Sequence, residues 1–112
     1  MEQIIQDLLY SKGVFRHYQG YNYFVRSVGI VLENPECLQH IYKEVYLTIA
    51  GEVGRDVRAV ERNIRTVRDV FLKNGGKSML EEMSGGNFVS HQKPYPGEMI
   101  EIFATYIQKQ VQ

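Results

Sequence analysis

Apolar residues recur along this chain at helical spacing in separated stretches, with polar and glycine-rich breaks between them. Ile4, Ile5, Leu8 and Leu9 predict a first helix over residues 2–12 that stops before Gly13. Val14 to Gly20 reads as a connector. Tyr21, Phe24, Val25, Val28, Val31 and Leu32 predict a second helix from Tyr21 to Glu33. Asn34-Pro35 ends it, because the residue before proline is pushed out of the helical region. Pro35-Glu36 suits a new first turn, and Leu38, Ile41, Val45, Ile49 and Val53 continue the pattern. The pattern leaves open whether that third helix runs unbroken to residue 52. After a short break at Gly51 to Arg55, Asp56 is a good N-cap for a helix over 57–73, and Asn74-Gly75-Gly76 stops it. A short helical turn is expected at Ser78 to Met83, and an ordered loop or small extended arm at Gly85 to Lys93. The last helix starts near Pro96 and uses Met99, Ile100, Phe103, Ile107 and Val111. The fold class is all-α: a compact domain of five to six helices over residues 1–112, without repeats or low-complexity tracts.

One segment combines this periodicity with chemistry. On a wheel of residues 55–71, Val57, Val60, Ile64, Val67 and Phe71 share one side. Arg58, Glu61, Arg62, Arg65 and Asp69 share the other. A helix whose apolar face is committed to a core and whose exposed face carries arginines can reach phosphates and base edges together. The arginine fork matches the O6/N7 edge of guanine, and a carboxylate such as Glu61 suits cytosine N4. Just upstream, Ala50 and Gly54 lie four apart, so that two helices can cross closely around a tight turn. Ile49, Val53 and Val60 would fill the space between them. Residues 46–73 thus predict a helix-turn-helix whose second helix enters a major groove. Arg55 stands where such motifs usually carry an apolar residue, and Asn63 is likewise polar.

Charge changes the picture only locally. The 112 residues carry 13 basic and 13 acidic side chains, a formal net charge of zero. Residues 55–77 hold seven basic and three acidic residues, so this one segment is electropositive and the remainder is not. No apolar run approaches the roughly 20 residues of a membrane span, and no signal peptide is visible, so a cytoplasmic location is expected. Cys37, the one cysteine, has no partner for a disulfide or thiolate site and reads as a small buried hydrophobe. His17, His40 and His91 are scattered, without metal-ligand spacing. Asn74-Gly75-Gly76-Lys77-Ser78 ends like a phosphate-binding loop, but Phe71 occupies the position of its first glycine and no strand precedes it. No nucleophile with a base and no paired carboxylates emerge. Neither enzymatic activity, nor a cofactor, nor a metal is expected. Tyr46, beside the turn, is a candidate donor to a phosphate.

Val60-Glu61-Arg62-Asn63-Ile64-Arg65 resembles the Val-Glu-Arg-Ala-Ile-Arg signature of the family of C-terminal effector domains typified by stage 0 sporulation protein A. Gly20-Tyr21-Asn22-Tyr23 resembles that family's Gly-Tyr-x-Tyr. Val45-Tyr46 with Ile49-Ala50 resembles its Leu-Tyr-Pro-x-Ile-Ala. Lys93-Pro94 with Glu98-Met99-Ile100 resembles its Lys-Pro-Thr-Asn-x-Glu-Phe-Ile. The matches run in order over about residues 10–107.

The resemblance implies a six-helix, sporulation-related transcription regulator that reads a TGTCGAA-like box in double-stranded DNA. Glu61, Arg62 and Arg65 match the base-contacting residues of the family. Arg55, Arg58 and Lys93 are expected on the DNA backbone. The resemblance also implies head-to-tail pairs, a homodimer on tandem boxes, and an RNA polymerase sigma subunit as partner. The family's sigma-contacting residues are not matched over Lys77 to Val89, so no residue is assigned that role. Leu47 replaces a proline, and Tyr95-Pro96 replaces the Thr-Asn before the last helix. With Met1 as its start the chain has no receiver domain, and control by phosphorylation is not expected. The alternative function is a receiverless protein-interaction module that binds a full-length regulator or a sigma subunit. If tandem pairing occurs, the apolar side of the last helix, with Met99, Ile100, Phe103 and Ile107, is the expected contact.

Overall fold

The computed structural model describes residues 2–86 and 93–111. Its elements follow the apolar periodicity closely. They are α1 (Glu2–Tyr10), α2 (Gln19–Glu33), a 3-10 turn (Pro35–His40), a π-helical stretch (Tyr42–Tyr46), α3 (Leu47–Val53), α4 (Val57–Lys73), α5 (Gly76–Met83) and α6 (Pro96–Gln110). The fold is all-α, with six α-helices among the described residues. Of the expected arm at Gly85 to Lys93, residues 87–92, His91 included, lie outside those described.

The centre of the molecule is α2, which packs against α4 on one side and α6 on another. Tyr21 and Tyr23 both lie in the core, although they project from different sides of the helix. A helix with neighbours on several sides buries both positions, whereas a helix with one buried face would hide only one. Phe24, Phe71 and Phe103, from α2, α4 and α6, meet edge-to-face in the middle of the core. The Phe24–Phe103 centroids are 4.9 Å apart and the Phe71–Phe103 centroids 5.7 Å. Such pairs contribute about 0.5–1.5 kcal/mol beyond their burial.

Gly20 permits the closest approach of α2 to α4. A Cβ there would collide with the Asn63 carbonyl oxygen and lie 2.8 Å from Val67 Cγ2. Asn63 fits this crowded place because its side-chain amide donates back to the Ala59 carbonyl, at 2.8 Å.

The third predicted helix is neither unbroken nor uniform. Its first turn is 3-10, and Leu47 N–H then donates to the Tyr42 carbonyl across a wide π turn before α3 begins. The change of pitch turns Val45, Tyr46, Ile49 and Ala50 inward together and leaves Leu47 outside. Val53, expected to plug the space between the two helices, is 44% exposed; Ile49, Ala50, Ala59 and Val60 fill it instead. Cys37 is buried, and burial pushes its thiol pKa up, consistent with the small hydrophobe expected.

The last helix corrects another expectation. Met99, Ile100, Phe103 and Ile107 are all fully buried, so they are core and not a contact between molecules. Val111, expected to join them, is exposed beyond the helix end. Tyr95-Pro96 still starts the helix well, because Glu98 accepts from the Tyr95 N–H at 3.0 Å and proline suits the first turn.

Candidate nucleic-acid interface

Three residues, Gly54, Arg55 and Asp56, join α3 to α4. Gly54 adopts a left-handed conformation (φ 68°), which ends α3, and Arg55 N–H reaches back to the Ala50 carbonyl at 3.1 Å. Asp56 then caps α4 as its type predicts: Oδ1 accepts from the Arg58 N–H at 2.7 Å. That bond, with the Arg58 guanidinium close by, lowers the Asp56 carboxyl pKa. Behind the turn, Val60, Ile64, Val67 and Phe71 are fully buried. The opposite face of α4 is open along its first two turns. The two helices and their glycine turn have the form of a helix-turn-helix.

Arg55, Arg58, Arg62 and Arg65 are all exposed on this side of the molecule, whereas Glu61 is half-buried. Arg58 has 83% of its side chain in solvent and a long 3.5 Å contact to Asp56. Arg62 makes no ion pair among the described residues. Arg65 Nη2 lies 3.3 Å from Glu61 Oε1, one turn back along the helix. The Glu61 carboxylate also lies beside the buried Tyr46. Burial, and then Glu61, push the Tyr46 phenol up to about 12, against the opposing pull of Arg65 and Arg68. Tyr46 is only 5% exposed, so it supports the floor of the site and does not reach a phosphate as expected from the sequence. Tyr42, four residues earlier, is the exposed one.

The far end of the face differs from the simple stripe on the wheel. Arg68, counted with the basic segment, is 7% exposed. Its Nη1 donates to the Pro94 carbonyl at 3.2 Å, and its Nε and Nη2 hold Asp69 at 3.0 and 2.9 Å. Lys93 approaches the same Asp69 oxygen at 3.2 Å, which places it next to α4. Arg55, Arg58, Glu61, Arg62 and Arg65 therefore form one surface, and Lys93 stands at its edge, tied to Asp69. Sequence reasoning assigned nothing to Arg68. Its signal was available: position 68 falls between the apolar and polar sides of the wheel, where a long side chain is partly covered.

A second polar feature flanks the turn. Arg26 of α2 and Glu52 of α3 pair through two hydrogen bonds, at 2.9 and 2.7 Å. Both contacts favour the charged forms, so the Arg26 pKa is raised and that of Glu52 lowered. The pair straps α3 to α2 in a groove also lined by Gln19, Asn22 and Arg55. His17 stacks on Tyr18 at the surface, with ring centroids 4.6 Å apart. Among the described residues no cluster of His, Cys, Asp or Glu could hold a metal, and no helix is long and apolar enough to cross a membrane.

An exposed arginine face on the second helix of a glycine-turned helix pair, backed by a sealed apolar face, is the arrangement of an all-α domain consistent with a helix-turn-helix. The family model described as "Sporulation initiation factor Spo0A C terminal" matches residues 5–107. The chain belongs to that family, which comprises DNA-binding effector domains of sporulation regulators and is not a family of enzymes.

Proposed function

We propose that this chain is a sequence-specific transcription regulator that reads duplex DNA by placing α4 in the major groove. Arg62 and Arg65 read guanine edges, and Glu61 accepts from cytosine N4. Arg55, Arg58 and Lys93 hold the phosphate backbone on either side. The observation that carries this is the division of α4: Val60, Ile64, Val67 and Phe71 buried on one face, and three exposed arginines, Arg58, Arg62 and Arg65, on the other within its first three turns, with Arg55 exposed in the turn just before. A helix face serving solubility alone would interleave its charges. Here one acid, Glu61, stands among the arginines between Arg58 and Arg65. The helix N-terminus also adds its own positive end to the same side.

The Glu61–Arg65 contact fits such a role. At 3.3 Å and half exposed, it is weak enough to open and orients both groups until bases compete for them. Pairs of the domain arranged head to tail on tandem boxes would supply the selectivity one short site lacks. A sigma subunit is the proposed protein partner at a promoter.

Titration of Arg62→Ala tests the assignment. On a duplex carrying the TGTCGAA-like box, binding should weaken by about 1–3 kcal/mol, the usual effect of losing a bidentate guanine contact. On scrambled duplex the loss should be much smaller. Equal losses on both would make Arg62 a phosphate contact only. No binding to either duplex by the intact chain would favour a protein-interaction module instead.

A further inference from the structure

A carboxylate that reads no base only repels a polyanion, yet Asp69 lies on the same side of α4 as Arg62, two turns further on and beyond the proposed base-reading residues. It is 43% exposed and engaged on one oxygen by both Arg68 and Lys93. Arg68 in turn is buried and bonded to the carbonyl of Pro94, itself buried. A buried guanidinium requires a counter-charge and acceptors for its N–H groups, and Asp69 and Pro94 supply them. Burial alone would push the Asp69 carboxyl up, but the hydrogen bonds from Arg68 and Lys93 outweigh it and lower its pKa. At neutral pH the Asp69 carboxyl is therefore ionised. It fastens the chain at Lys93-Pro94 to the side of α4.

We propose that Arg68 and Asp69 are positioning residues that dock the Lys93-Pro94 segment against the recognition helix and so present the Lys93 ammonium to the DNA backbone. This rests on the reading of α4 as the DNA-facing helix and of Lys93 as a backbone contact. The ammonium has three donors, so it can keep Asp69 and still reach a phosphate. The acid then has a use that offsets its repulsion of DNA. Without it, Lys93 rides on a flexible stem and must be ordered at each encounter.

The two roles predict opposite signs. If Asp69 were only a charge on the face, Asp69→Asn would raise affinity for any duplex. If it positions Lys93, affinity falls although the protein becomes more positive. The measurement is fluorescence anisotropy of the full chain on a mixed-sequence duplex about two helical turns long, with salt varied from about 50 to about 200 mM. Lys93→Gln should bind several-fold more weakly, and its slope of log affinity against log salt should flatten by about 0.9, the share of one phosphate. Asp69→Asn should lose affinity and slope similarly, and in the Lys93→Gln background it should cause no further loss. Arg68→Met removes the buried cation together with its need for a counter-charge, so its fold is the safer of the two. It should show the same loss in the parent and none in the Lys93→Gln background.

Parental or tighter binding by Asp69→Asn, or a parental slope from a folded Arg68→Met, overturns the proposal. A Lys93→Gln variant that binds like the parent also overturns it. In that case the reading of α4 is judged separately, by Arg62→Ala on the boxed duplex.

Discussion

Two glycines in the same helix should respond to alanine with opposite signs. At Gly29 a Cβ would meet nothing within 4 Å, and the residue is ordinary helix interior. Gly29→Ala should therefore stabilise by up to about 1 kcal/mol, the propensity difference between the two residues. At Gly20 the same methyl would collide with the Asn63 carbonyl oxygen and lie 2.7 Å from the carbonyl carbon and 2.8 Å from Val67 Cγ2. Two of those three atoms are backbone in the middle of α4, held by the helix ladder, so no flexible side chain can yield. The helices must separate, and overpacking of this kind costs about 1–3 kcal/mol or more. The propensity gain offsets little of it, because Gly20 lies in the first turn of α2. A net loss of about 2 kcal/mol corresponds to a Tm lower by roughly 8 °C or more for a chain of this size. Thermal melts followed by circular dichroism on the parent and both variants decide it. Because α4 carries the arginine face, Gly20→Ala should also weaken binding to the boxed duplex below its melting range. A Gly20→Ala protein that melts at or above the parent would show that α2 and α4 do not approach this closely.

Val60→Asp puts a carboxylate at a fully buried position facing α3, so it should cost about 4 kcal/mol or more and leave little cooperative unfolding; a normally melting, fully helical variant would refute the buried face. Glu52, Asp56 and Asp69 all have lowered folded-state pKa values, so their contributions are complete above the ordinary carboxylate pKa of about 4 and are lost as pH falls through the folded values. Melts between about pH 5 and about pH 2 should therefore show Tm falling with pH, and less steeply in Asp69→Asn. Gel-shift titration on one box and on two boxes one helical turn apart should show tighter binding per site on the pair. Equal per-site affinity at every spacing would leave a reader that acts alone.

The boundaries of α4 were legible because every signal agreed: a capping aspartate, an unbroken apolar stripe and a double glycine at the end. The third predicted helix was legible only as an apolar sequence. Its shift from 3-10 to π to α pitch depends on how Tyr46 and Ile49 seat against α4, and a period of 3.6 residues carries no record of that. Burial on several sides was also illegible locally. Tyr21 and Tyr23 on one helix, and the whole apolar side of α6, could be placed only once their neighbours were known. An amphipathic pattern gives the direction of the nearest core, not the number of elements around a helix.

Charge shows the same limit with more consequence. Seven basic residues over 55–77 predict an electropositive segment, but they do not make one surface. Arg68 is turned inward and neutralised by Asp69. Arg65 is half committed to Glu61. Arg55, Arg58 and Arg62 are exposed and lie at or within two turns of the start of α4, around the N-capping Asp56. The exposed arginines are thus gathered toward the N-terminal end of the helix, the end by which the proposed reader would enter a groove. Lys93 joins them only because the fold returns to α4 before α6 begins, a contact across 24 residues of sequence between Asp69 and Lys93 that no local pattern contains. The formal charge of the segment and the charge presented to a duplex are different quantities, and only the second bears on affinity. The slope of binding against salt measures that second quantity directly, so counting phosphates by salt dependence is the physical check on the whole surface.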